Sequence, residues 1–244
     1  MRCLPKINGI YWLSLAVASV FGASLGDFLA DGLGLGHLKG LPYLLGDLAL
    51  VLLAERFLKY TSTLYFWAAV ILSVAAASNV ANALHDLHVR LASVPVLCLL
   101  LAITVIVWRL REPSADERDF IPVAGFYWAT LLMAGVLGGV GGDAAAYPLG
   151  FGNFGAMVVF AIPLGFLLTI GRNGLYTDLG FYWLAVVFIV AAGTAAANLL
   201  AHDLHSIDLG TAISGAVFVA LIVAVYEMRA CNKSLRVGLV GEGA

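Results

Sequence analysis

Residues 11–27 read YWLSLAVASVFGASLGD, and residues 127–143 read YWATLLMAGVLGGVGGD. Both open on Tyr-Trp, run through small and apolar residues and end on Gly-Asp, at an offset of 116. Two further segments keep the spacing. Trp67 precedes Asn82 by fifteen residues and Trp183 precedes Asn198 by fifteen, as Trp12 precedes Asp27 and Trp128 precedes Asp143. A spacing held four times marks a chain built from repeated units. The same offset relates Gly34-Leu35-Gly36 to Gly150-Phe151-Gly152 and Asn82 to Asn198. After one inserted residue, both even-numbered units read His-Asp-Leu-His, at 85–88 and 202–205.

The 244 residues are 62% hydrophobic and 11% charged, with a mean hydropathy of +0.98. A soluble domain carries about 25% charged residues. The solvent for most of this chain is therefore lipid, and the composition excludes a water-soluble enzyme, a nucleic-acid binder and a disordered scaffold. Charge-poor stretches at 9–26, 41–58, 64–84, 92–108, 122–141, 154–171, 179–200 and 209–226 each approach the roughly 20 residues a spanning helix needs. The expected fold is an all-α integral membrane protein with eight transmembrane helices. The first stretch follows Arg2 and Lys6 like a signal peptide, but its pattern recurs downstream, so it belongs to the mature fold.

An eight-helix path puts Arg2, Lys6, Arg56, Lys59, Arg109, Arg111, Arg118, Arg172, Arg229, Lys233 and Arg236 on one side and only Lys39 and Arg90 on the other. That eleven-to-two imbalance predicts cytoplasmic N and C termini. A first half at 1–110 would hold two helical-hairpin repeats, 9–60 and 64–110. A charged cytoplasmic linker at 111–121, with Pro113, would join it to a second half at 122–230, holding repeats 122–173 and 179–230, followed by a cytoplasmic tail at 231–244. Each unit has an even number of helices, so the four repeats are parallel, with the halves related by a pseudo-twofold, unlike the inverted repeats of many transporters.

The aromatic pairs are expected at the cytoplasmic interface. Fifteen helical residues rise about 22 Å, so Asp27, Asn82, Asp143 and Asn198 would form a polar ring toward the outer side of a core of about 30 Å. Small residues at spacings of four, including Ala18-Gly22-Gly26 and Ala134-Gly138-Gly142, give smooth faces that let helices approach closely. They place the four first helices in an inner ring, although packing alone is a sufficient reason for them.

Ionisable residues inside a membrane are costly and are functional candidates by default. Two carboxylates and two carboxamides on one axis would suit a cation, or a shared proton. Asp31 lies one turn beyond Asp27, with Tyr147 as its counterpart in unit three. Asp47, opposite Pro163 in the repeat, is either a proton-coupling site or a structural acid. All five histidines, His37, His85, His88, His202 and His205, fall at the outer side. With Asp86 and Asp203, the two His-Asp-Leu-His copies could hold a divalent metal, relay protons, or simply cap helices. No phosphate loop, Gly-x-Ser-x-Gly, HExxH or CxxC occurs, and Cys3, Cys98 and Cys231 form no ligand pattern.

Four copies of an aromatic-Trp start, a small-residue helix and a Gly-Asp or Ala-Asn end resemble the bacterial four-repeat "membrane-anchored protein" family, known by a repeat of unknown function. The resemblance runs from about Tyr11 to Tyr226 and is most specific at Gly26-Asp27 and Gly142-Asp143; units two and four depart from it with Ala81-Asn82 and Ala197-Asn198. It implies fold and a bacterial inner-membrane location, and no activity. The function expected from the residues is a proton-coupled or passive transporter or exporter of a small cation, a divalent metal being one candidate. No enzyme and no nucleic-acid partner are expected; the partners are the lipid bilayer, the cation or proton, and a second copy if the chain forms a homo-oligomer. The alternative is a nontransporting membrane subunit or sensor that binds metal or haem through the outer histidines.

Overall fold

The first helix begins where its free N–H groups find an acceptor. Asn8 accepts from the Tyr11 amide at 2.9 Å, and Asp178 does the same for Phe181 at 2.8 Å. The structure, a computed structural model, describes residues 5, 7–58, 63–111, 123, 125–171 and 178–241, with side chains described up to residue 227 except at 58. The helices are α1 (Gly9–Asp27), α2 (His37–Leu58), α3 (Thr63–Asp86), α4 (Arg90–Arg111), α5 (Gly125–Ala146), α6 (Gly152–Gly171), α7 (Leu179–Asp203) and α8 (Ile207–Gly241). Each provides a stretch of 20–25 residues, α1 together with the turn that continues it to Gly32, long and apolar enough to cross a membrane.

Two boundaries differ from expectation. α1 runs on through a wider π turn, Phe28–Gly32, and α8 continues to Gly241 through the segment expected to be a tail. Apart from Arg111, the expected linker lies outside the described residues, as do Lys6, Lys59, Arg118 and Arg172.

α1, α3, α5 and α7 form a closed ring, each touching the two beside it. The even helices lie outside that ring, and each packs on the first helix of the next unit: α2 on α3, α4 on α5, α6 on α7 and α8 on α1. Between 50% and 72% of the apolar stretch of each odd helix is buried, against 11–28% for the even helices. The small residues explain the closeness of the ring. A Cβ on Gly26 would sit 2.7 Å from the Ala75 carbonyl oxygen, and one on Gly142 would sit 2.5 Å from that of Ala191. Ala75 and Ala191 are themselves 116 apart, so α1–α3 and α5–α7 are the same interface used twice. Gly135 against Ala77 and Gly193 against Ser19 repeat the relation at the other two seams.

The turns also come in two kinds. Gly34, Gly36, Gly150 and Gly152 take positive φ values of 67–74° between the helices of the odd units. Units two and four place His88 (φ 59°) and His205 (φ 52°) in that left-handed region instead. Val89 N–H then bonds to Leu84 O at 3.1 Å and Ser206 N–H to Ala201 O at 3.2 Å, closing the last turns of α3 and α7.

Candidate functional site

The expected polar ring resolves into two pairs. Asn82 Nδ2 donates to Asp27 Oδ1 at 2.9 Å, and Asn198 Nδ2 donates to Asp143 Oδ1 at 3.0 Å. Both pairs join the last turns of neighbouring ring helices, α1 to α3 and α5 to α7, which Gly26 and Gly142 bring together. The two carboxyl groups are close enough to feel each other's charge. Ser78 Oγ adds a long hydrogen bond of 3.4 Å to Asp27 Oδ1. Both amides therefore turn their N–H groups to the carboxylates.

The pairs differ in what neutralises them. Asp143 is 2% exposed and meets Arg90, whose Nη2 lies 3.3 Å from Asp143 Oδ2. Arg90 opens α4, which packs on α5, and its side chain is only 8% exposed. Its role was missed in the sequence, where it counted only toward topology. The available signal was its place two residues after His-Asp-Leu-His as one of two basic residues on that side. Asp27 is partly exposed and forms no ion pair with Lys or Arg among the described residues. The charged groups near it are Asp143, His37 and Asp31.

Asp31 lies on the π turn, 55% exposed at its side chain, with His37 Nε2 3.9 Å from its carboxylate. His37 Nδ1 also approaches Asn79 Oδ1 at 3.5 Å, and the Nδ2 of the fully buried Asn79 has no partner among the described residues. Asp47 stands apart on the exposed side of α2, with no hydrogen bond or ion pair among the described residues.

His85, Asp86, His88, His202, Asp203 and His205 are exposed at the ends of α3 and α7. His202 Nδ1 contacts Asp203 Oδ1 at 3.3 Å, and His85 lies in electrostatic range of Asp143. Among the described residues no three His, Cys, Asp or Glu side chains converge into a metal-holding group. Cys98 is an exposed free thiol. The left-handed backbone at His88 and His205 gives the second histidine of each copy a structural task.

At the opposite end of the ring lie the aromatic pairs that open the odd helices. They are buried. Tyr11, Phe66, Tyr127 and Tyr182 point to the axis, with Tyr182 OH 2.5 Å from Tyr11 OH and 2.8 Å from Tyr127 OH. Each Trp packs on the inner ring of the preceding unit: Trp12 on Tyr182, Trp67 on Tyr11, Trp128 on Phe66 and Trp183 on Tyr127, at centroid distances of 5.5–6.0 Å. This collar closes the axis at the end away from the carboxylates.

Residues 10–61, from α1 through the end of α2, match the family described as Repeat of Unknown Function (DUF347). The match spans the first repeat unit. The match contains Tyr11, Trp12, Gly26, Asp27 and the paired turn glycines, all of which recur in this chain at the offset of 116. No curated protein and no solved structure matches the chain.

Proposed function

We propose that this chain is a multi-pass protein of the bacterial inner membrane, with both termini cytoplasmic, that carries a small cation by a secondary or passive mechanism. The observation that carries the reading is Asp27: a carboxylate held by Asn82 and Ser78 between apolar helices, partly exposed and without an ion-pair partner among the described residues. A carboxylate kept in such surroundings is costly and is retained for an ion or a proton. Asp31 and His37 supply polar groups beside it, and His85 lies in electrostatic range of Asp143 at the same end. The excess of basic residues at the other end supports the orientation.

The aromatic collar favours a second reading, a nontransporting subunit or sensor, because it seals the axis. A carrier that exposes its site to one side at a time also closes one end. Reconstitution of the full chain into liposomes separates the two readings. Saturable uptake of a mono- or divalent cation, lost in Asp27→Asn, supports transport. Unchanged metal-dependent growth and cell metal content in Asp27→Asn and Asp143→Asn, with no flux of any cation, would sink it.

A further inference from the structure

The two carboxylate–amide pairs are built on one plan, and one of them already holds a cation. On the α5–α7 side, Asp143 Oδ1 takes the Asn198 amide and Oδ2 takes the Arg90 guanidinium at 3.3 Å. On the α1–α3 side, Asp27 Oδ1 takes Asn82 and Ser78, and Oδ2 takes neither. The residue equivalent to Arg90, two positions after the second His-Asp-Leu-His, is Ile207 at the start of α8. α8 packs on α1 as α4 packs on α5, so the helix that would deliver the missing cation is present and its first residue is apolar.

We infer that the Asp27 site takes a monovalent nitrogen cation of guanidinium or ammonium type, and that Arg90 is the built-in counterpart of that ligand in the other half. The inference rests on the small-cation reading and names the class of cargo. Three arguments favour this class. A hydrogen-bonding cation needs one carboxylate edge, which Asp27 Oδ2 offers, whereas a hard divalent cation such as Ca²⁺ or Mg²⁺ takes about six or more oxygens. Asn82 and Ser78 already occupy Asp27 Oδ1 with their hydrogen bonds, so the carboxylate offers a bound ion one oxygen rather than a chelating pair. Finally, Asp27 is partly exposed where Asp143 is 2% exposed, which leaves the first site open to exchange and the second closed by its own arginine.

The test uses the full chain in liposomes and nanodiscs, with guanidinium and methylammonium as probes and Mn²⁺ and Na⁺ as comparison ions. Wild type should take up labelled guanidinium or methylammonium saturably. Asp27→Asn and Ile207→Arg, the second supplying the missing side chain, should each lower uptake about tenfold or more, the size expected for loss of a charge-assisted contact. Ile207→Arg leaves the carboxylate in place and so keeps the test open if Asp27→Asn folds poorly. Arg90→Ala should gain thermal stability from millimolar guanidinium more than from Na⁺ at equal ionic strength. Flux of Mn²⁺, Na⁺ or protons without either organic cation overturns the inference and leaves transport standing. Saturable guanidinium protection with no flux of any ion supports the site and overturns transport. Neither binding nor flux overturns both.

Discussion

Arg90 and Asp143 form an ion pair at 3.3 Å between the start of α4 and the last turns of α5, with both side chains under a tenth exposed. Such a pair contributes little net stability, but removing one partner strands the other charge. Arg90→Ala should therefore destabilise the folded chain by about 3–5 kcal/mol. Thermal unfolding in detergent measures the loss, and Arg90→Ala combined with Asp143→Asn should recover much of it. An additive double variant would show that the two residues act separately.

The α5–α7 seam predicts a steric threshold. Gly142→Ala would drive a methyl to 2.5 Å from the Ala191 carbonyl oxygen, forcing the two helices apart. Overpacking of this kind costs about 1–3 kcal/mol. Gly46→Ala, on the exposed side of α2 with nothing within 4 Å, is the control and should be neutral or slightly stabilising. Comparing the two unfolding midpoints checks both statements, and equal midpoints would count against close packing at Gly142.

Tyr182 links the hydroxyls of Tyr11 and Tyr127 in the buried collar. Tyr182→Phe leaves both flanking hydroxyls without that partner, a cost of about 1–3 kcal/mol each way the group cannot be satisfied. Tyr11→Phe removes only an end of the chain and should cost less. Chemical or thermal unfolding of the two variants side by side reads the difference; the reverse order would place the centre of the network elsewhere.

His88 and His205 hold positive φ at the ends of α3 and α7, a conformation glycine adopts without a steric penalty. His88→Gly should keep the fold and change stability by no more than about 1 kcal/mol, in the stabilising direction. Cell metal content and growth on elevated metal, measured on the same variant, separate the turn role from a ligand role, because a ligand would be lost whatever the backbone gains.

Several of these residues were visible as candidates beforehand, and others were not. Asp27, Asn82, Asp143 and Asn198 stand out because one spacing recurs four times, and they pair two by two, Asp27 with Asn82 and Asp143 with Asn198. Asp31 and Asp47 stand out equally as charges in apolar surroundings, yet the π turn leaves Asp31 exposed and Asp47 faces away from the ring. Arg90 and the tyrosine hydroxyls were not singled out for a role inside the bundle. A lone arginine after a turn and an aromatic at a helix start each have an ordinary reading at a membrane surface.

Hydropathy, period and offset are properties of the chain read locally, and they were enough to determine eight apolar helices and a spacing repeated four times, with small residues along the faces that pack. Only the tertiary structure decided which amide meets which carboxylate, that each outer helix packs on the next unit, and that one half carries its own cation. The reason is geometric. A repeat specifies how far along its helix a residue lies, whereas its partner depends on how each helix is rotated about its axis and on which neighbour the glycine seams bring within reach.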